Sequence, residues 1–408
     1  MRRRTVVLVA LGCACNEREL PGQTDAGGPV TTRTSGDATA STAAPATSGE
    51  LPTTGAATTD AAPDTCGNGV VEPGEVCLGP PRQIDVGPVH RVWTADVDRD
   101  GRDDVLTPTG LWLQRDGGLE PGSALPLAPA GIGDFDGDGR VDLFAYDGDA
   151  RTLAWSRGDG QGSFGAPVVT DASELRSAAA ADVDGDGRSD IVAQAPELDA
   201  LRTYAAADDG SFVPLEIGPM SRWAALTGIG DADGDGLPDV LVSESGVTTP
   251  WWGQGDGTFV ASDEPLPPQA SYALADLEGD GADELLFAHA NEWWDDALYA
   301  AGAMWLVGPP AEWPVAQVEL ADVAIQHIAG DMSQDGLGDV IVGRLGEPGQ
   351  AVLEVLCSAP GRQLGRCASA ALTSPVEHLA AADVQADGAL DLVFAAGEAG
   401  LWTVVAGP

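Results

Sequence analysis

From residue 81 onward the chain alternates brief apolar runs with polar, glycine-rich turns. Small apolar stretches such as 178–181 and 380–382 stand before short acidic segments. Apolar runs follow those segments: Val105-Leu106, Leu143-Phe144-Ala145, Ile191-Val192-Ala193, Val240-Leu241-Val242, Val340-Ile341-Val342 and Leu392-Val393-Phe394. These runs are short and bounded by Gly, Pro and Asp, so they predict buried strands rather than helices. A third strand follows, with an aromatic at Trp112, Trp155, Tyr204, Trp252, Trp305 or Trp402. Gly/Asp turns come next, as in Gly158-Asp159-Gly160 and Gly255-Asp256-Gly257, and a fourth strand opens with Phe164, Phe212, Phe259 or Trp313. The expected fold is all-β, with four short strands per repeat. Radial repetition of such units builds a β-propeller, and seven units make a closed ring.

The acidic segments set the period. Asp-x-Asp-x-Asp-Gly-x-x-Asp is intact four times: Asp96, Asp98, Asp100, Asp104; Asp134, Asp136, Asp138, Asp142; Asp182, Asp184, Asp186, Asp190; and Asp231, Asp233, Asp235, Asp239. Three looser copies follow: Asp276, Glu278, Asp280, Glu284; Asp331, Ser333, Asp335, Asp339; and Asp383, Gln385, Asp387, Asp391. Successive starts lie 38, 48, 49, 45, 55 and 52 residues apart, a repeat architecture rather than a single-core domain. Carboxylates at alternate positions of a tight loop can converge on one hard cation. Ca²⁺ takes about 6–8 oxygens at roughly 2.3–2.6 Å. The Gly permits a turn that a side chain would obstruct, and the last acid closes the loop. Up to seven Ca²⁺ are expected, most securely in the first four loops. An EF-hand is excluded: it needs a Glu at position twelve and flanking helices. Position twelve here is Thr107, Ala145, Ala193, Val242, Phe287, Val342 and Phe394.

At these residues the chain resembles the FG-GAP/VCBS repeat family, propellers related to the integrin α-subunit head. Residues 158–167 (Gly-Asp-Gly-Gln-Gly-Ser-Phe-Gly-Ala-Pro) resemble the motif that names it. The resemblance spans about residues 81–408. It implies a calcium loop between the first and second strands of each blade, but no single biochemical role. The final repeat ends at 401–405, third-strand material, and residues 82–86 have strand composition without a blade of their own. An N-terminal strand completing the last blade would remove exposed edges.

The N-terminus reads as an export address. Met1-Arg2-Arg3-Arg4 precedes a short apolar stretch ending in Leu11-Gly12-Cys13-Ala14-Cys15, which resembles a bacterial lipoprotein cleavage box. Cys13 and Cys15 both qualify for lipidation. Residues 1–15 form the signal. Residues 16–65, rich in Thr, Ala, Ser, Pro and Gly, form a disordered tether. Residues 66–79 resemble a Cys-bounded motif of myxobacterial surface proteins. Outside the signal, the cysteines form two expected disulfides, Cys66–Cys77 and Cys357–Cys367. The expected location is the outer membrane or cell surface, with the lipid as the only membrane contact and a monomeric chain.

Charge and motifs narrow the function. The net charge is −44 and all 20 basic residues are Arg, which excludes nucleic acid as a partner. The loop ligand positions hold 26 of the 64 acids, so much of the acidity serves metal. No catalytic signature is present. His90, His327, His378 and Arg176 stand just before acidic loops, near the first-strand starts on the opposite face. Trp293 and Trp294 lie in an extra stretch, 288–303, beside Asp295, Asp296 and Tyr299, a composition suited to sugar binding. The expected function is a calcium-stabilised surface module that binds an extracellular glycan or protein through Trp293, Trp294, His327, His378 and Arg176. The alternative is an exported enzyme, such as a polysaccharide lyase or hydrolase, using that face.

Overall fold

The computed structural model describes residues 76–406 apart from 85, 117, 245–246, 264–270, 278–282, 290–302, 308–315, 320–323, 346–350, 360–362 and 386–387. The signal and tether with Cys13 and Cys15, together with Cys66, Glu278, Asp280, Trp293, Trp294 and Asp387, lie outside the described residues. All described residues belong to one compact unit.

The regular elements of the described chain are all strands, apart from one short 3-10 turn at Pro196–Leu198. None of its helices is long and apolar enough to cross a membrane. The strands form seven separate four-stranded antiparallel sheets, arranged one after another along the chain. The first six span 93–121, 131–171, 178–219, 225–261, 271–319 and 324–372, each in simple first-to-fourth order. The third sheet illustrates the register. Ala178–Ala181 pairs with Asp190–Ala195, whose Ile191 stands opposite Tyr204 of the third strand, and Tyr204 stands opposite Pro214 of the fourth.

Burial falls from the second strand to the fourth. All six residues of Asp190–Ala195 are buried, whereas in Phe212–Pro219 only Phe212 is. The cause is packing of sheets face to face. One core cluster joins Phe135, Phe144, Leu153 and Trp155 of the second sheet to Ala178, Ile191, Tyr204 and Phe212 of the third. Phe135 is its hub, with ring centroids 5.8 Å from Phe144 and from Phe212, both edge to face. A second cluster joins Val192 and Leu201 to Leu226, Val240 and Trp251 of the fourth sheet. Both faces of a second strand are thus covered, which is why these strands read as continuous apolar runs. Each fully buried Leu or Phe contributes about 1.5–3 kcal/mol. In the fourth sheet Trp251, not the expected Trp252, fills the buried third-strand position, because Trp251 stands opposite Val240 in the register.

The seventh sheet takes three strands from 378–404 and its fourth from the other end of the described chain. Arg82–Ile84 pairs with Leu401–Val404, Arg82 opposite Thr403 and Ile84 opposite Leu401. Gln83 Nε2 donates to the Ala399 carbonyl at 2.7 Å, and Val89 exchanges backbone hydrogen bonds with Gly397. Val105 of the first sheet packs with Val393, Ala395 and Leu401 of the seventh. First strands of consecutive sheets touch from the second sheet through the seventh, and the seventh sheet's first strand touches the first sheet's. The Cys357–Cys367 disulfide joins the third and fourth strands of the sixth sheet, with Cα atoms 5.7 Å apart. Cys77 is also disulfide-bonded.

Candidate metal centres

Each acidic loop connects the first strand of a sheet to the second. Its opening acid folds the loop around itself. Asp134 accepts the amide of Asp138 on Oδ1 at 3.0 Å and that of Gly139 on Oδ2 at 2.7 Å. Asp96 takes the amides of Asp100 and Gly101 in the same way, and Asp331 those of Asp335 and Gly336. Asp182 and Asp231 hold Gly187 and Gly236 at 3.0 and 2.9 Å. The sixth-position glycines have φ between +76° and +91° in the six loops where the residue is described, and a Cβ there would meet nothing within 4 Å at any of them. Conformation, not space, therefore requires glycine: a side chain in this left-handed region costs about 1–2 kcal/mol.

The ninth acid is a clamp. Asp142 is fully buried; its Oδ2 accepts the Phe135 amide at 2.9 Å and its Oδ1 the Gly158 amide at 2.7 Å. One carboxylate thus ties the loop to the end of the third strand. Asp104, Asp190, Asp239, Asp339 and Asp391 repeat this pairing. Burial pushes Asp142 and Asp239 up to about 7 and Asp104 and Asp190 up to about 6, against the opposing pull of their amide partners. Asp339 is raised for the same reason. Replacing Asp142 with Ala would strand two buried amides, each costing about 1–3 kcal/mol. Denaturant unfolding in chelator, where metal loss contributes nothing, should show a loss of about 2–6 kcal/mol; a loss under 1 kcal/mol would show that the clamp is idle.

The first, third and ninth acids converge. Carboxylate oxygens lie within 4.8 Å of one another in four groups: Asp96, Asp98, Asp104; Asp134, Asp136, Asp142; Asp182, Asp184, Asp190; and Asp231, Asp233, Asp239. Two oxygens each about 2.4 Å from one ion can be up to about 4.8 Å apart, so this spacing fits a shared Ca²⁺. The donors are hard oxygens without nitrogen or sulfur, a set suited to Ca²⁺, Mg²⁺ or Mn²⁺. Burial also raises Asp96, Asp136, Asp184, Asp231 and Asp233. A bound cation would reverse that cost. These are the four intact copies of the motif. The fifth-position acids lie beside the groups and are partly taken up by arginine. Arg115 bridges Asp98 at 2.5 Å and Asp100 at 3.1 Å, Arg157 bridges Asp136 and Asp138, and Arg188 pairs with Asp186. There a guanidinium supplies part of the positive charge a metal would bring.

In the looser loops no such triad stands among the described residues. Ser333 uses its amide on Asp339, and Gln385 points its Nε2 at Asp391 and the Ala406 carbonyl. Asp276, Asp335 and Asp383 sit at their loop positions, and Glu284 begins a second strand.

One set of residues was not anticipated from the sequence. The eighth position of one loop reaches the opening acid of the preceding sheet's loop. Ser189 donates its amide to the Asp134 carbonyl and accepts the Asp134 amide on Oγ. Asp283 does the same with Asp231, and Asp103 with Asp383, through their carboxylates at 2.9 Å. Burial pushes Asp283 up to about 6. The available signal was the polar eighth residue, against Val141, Pro238 and Leu390 elsewhere.

Of the expected ligand residues, His378 and Arg176 are those whose side chains the structure describes. His378 is buried, 6% exposed, within the first strand of the seventh sheet, because it faces the core opposite Ala395. The surface position is taken by its neighbour Glu377, which meets His90 Nδ1 at 2.7 Å. Arg176 is half-exposed and pairs with Glu174 at 3.4 Å. His327 lies in the strand Ala324–Gly330.

Among solved structures, an Agrocybe aegerita lectin recognising non-reducing terminal N-acetylglucosamine shares 17% identity over 70% of this chain and 80% of its own, with a TM-score of 0.49. A protein of unknown function from Desulfotomaculum acetoxidans shares 10% over 75% and 96%, with a TM-score of 0.45. BBS1N, solved in complex with ARL6DN, shares 12% over 83% and 98%, with a TM-score of 0.52, a likeness of fold alone. No curated protein sequence matches the chain. The family model of the FG-GAP-like repeat matches residues 134–193 and 200–287, the stretches holding the second, third and fourth intact acidic loops, and over those residues the chain is similar to that family.

Proposed function

We propose that this chain is a calcium-held, seven-bladed propeller that serves as a non-catalytic binding module for an extracellular glycan or protein. The four aspartate triads carry the reading: the same three carboxylates meet at the same spacing in four successive sheets. Closure into a ring is supported by Arg82–Ile84 on the last sheet, by the Asp103–Asp383 hydrogen bonds and by the shared core of the first and seventh sheets. Export and lipid anchoring at Cys13 or Cys15 would place the module on the cell surface, with residues 16–65 as its tether. Calcium then acts as a structural ion, turning metal affinity into rigidity of the ligand-bearing face.

Equilibrium dialysis of the propeller against calcium should find at least four bound ions, and a glycan array probed with and without chelator should show calcium-dependent retention. Fewer than four ions would remove the metal half of the reading. Turnover of a retained polysaccharide, seen as new reducing or unsaturated ends, would replace the binding module with an enzyme.

A further inference from the structure

The turn at 220–224 enters the fourth sheet at the end away from its acidic loop: Ala225 stands opposite Ser243, while the loop lies beyond the Gly230–Asp239 pair. This turn is held rigid. The Met220 amide donates to the Asp199 carbonyl at 2.7 Å, the Ala224 amide to the Ser221 carbonyl at 3.0 Å, and the Trp223 amide to Ser221 Oγ at 3.2 Å. Gln194 Nε2 donates to the Arg222 carbonyl at 3.2 Å. Met220 and Ala224 are buried at the two ends. Between them Trp223 is 73% exposed, the highest value among the exposed large apolar residues described. The fold has no packing use for this indole, yet it fixes the backbone that displays it.

Arg222 is the second element. Its Cζ lies 5.8 Å from the Trp223 ring centroid. Other arginines are paired with acids, Arg151 with Glu197 and Arg176 with Glu174. Arg222 makes no carboxylate pair among the described residues, in a chain with 64 acids and 20 bases. Arg82, Arg91 and Arg99 likewise make none, but among the described residues Arg222 is the one arginine set against an exposed indole. A planar guanidinium takes a carboxylate on two parallel N–H groups, and an indole face offers stacking area to the apolar face of a sugar ring.

Resting on the binding-module reading above, we infer that Arg222 and Trp223 form a binding site for a uronate-containing polysaccharide, with Trp223 under the pyranose ring and Arg222 on its carboxylate. Beside them Ser221 Oγ accepts the Trp223 amide and keeps its own O–H to donate to a hydroxylated ligand. Trp223 is separate from Trp293 and Trp294 in sequence.

Tetragalacturonate titrated into the calcium-loaded full chain, followed by calorimetry and tryptophan fluorescence, tests this. The parent should bind it saturably, and the fully methyl-esterified tetramer about tenfold or more weakly, the loss of one charge-assisted contact. Trp223→Ala should bind neither tetramer while keeping the parent's melting temperature. Arg222→Gln should bind both tetramers alike and weakly. Binding by Trp223→Ala equal to the parent's, or equal affinity of the parent for acid and ester, would overturn the inference. If the array finds another glycan whose retention is untouched by Trp223→Ala, this site falls while the binding-module reading stands. Capture of a protein through Trp223 would overturn the saccharide assignment.

Discussion

In chelator, the thermal midpoint should fall as pH rises from about 4 to about 7, and in excess calcium it should rise over the same interval. The metal-free sign follows from burial. Asp104, Asp190 and Asp283 are pushed up to about 6, and Asp142 and Asp239 to about 7, from an ordinary 3.8. Between 3.8 and those values the folded chain holds more protons than the unfolded chain. Stability then decreases with pH: the contribution is complete below the unfolded value and lost as pH passes the folded one. Calcium inverts the sign, because its ligands must be ionised and binding to the folded state alone adds stability that grows with affinity. Self-repulsion in a chain of net charge −44 also favours low pH. The control is therefore Asp142→Asn with Asp239→Asn, which should flatten the slope in chelator. Parallel pH profiles with and without calcium would refute the metal assignment, and an unchanged slope in the double variant would refute the role of the buried acids.

Removing Arg82–Ile84 should be nearly as disruptive. The strand covers Leu401–Val404, whose Leu401 and Val404 are fully buried, and its loss would leave the last sheet with an unpaired edge. A few backbone hydrogen bonds at about 1 kcal/mol each would go, and Gln83 would release Ala399. The Val89–Gly397 contact lies directly downstream, so the junction of the first and last sheets would loosen as a unit. Open edges recruit other chains. The truncated protein should elute as aggregate, or melt earlier in calcium with a broader transition. A monomer with the parent's melting curve would show that the two ends are joined by other contacts. A peptide of the deleted strand, added in trans, should restore part of the lost stability if pairing alone is at fault.

Local chemistry was legible because it is confined to nine residues. The alternate carboxylates, the glycine that must be left-handed and the closing acid interact within one loop, so their spacing survives any arrangement of the sheets. The same holds for strands bounded by Gly and Asp, and for the orphan strand near residue 82, whose partner was implied by the strand missing at residue 405. What the loops do beyond themselves was not legible. The sequence shows that the ninth acid can close its own loop, but not that its second amide partner lies at the third strand, 10 to 19 residues away. The eighth residue bonds to a loop from another repeat, 55 residues distant for Ser189 and Asp134, 52 for Asp283 and Asp231, and 280 for Asp103 and Asp383.

The repeat, the strand content, the positions of the acidic loops and their hard-oxygen character are readable along the chain, since each depends on sequence neighbours. Which face a side chain presents depends instead on how the sheets pack. Trp251 rather than Trp252 is buried, His378 points into the core while Glu377 meets His90, and Trp223 stands in solvent although it is as apolar as the core tryptophans. Alternation along a strand assigns residues to two faces but does not say which is covered. That is settled by the sheets packed on either side and by the turn geometry that enters each strand.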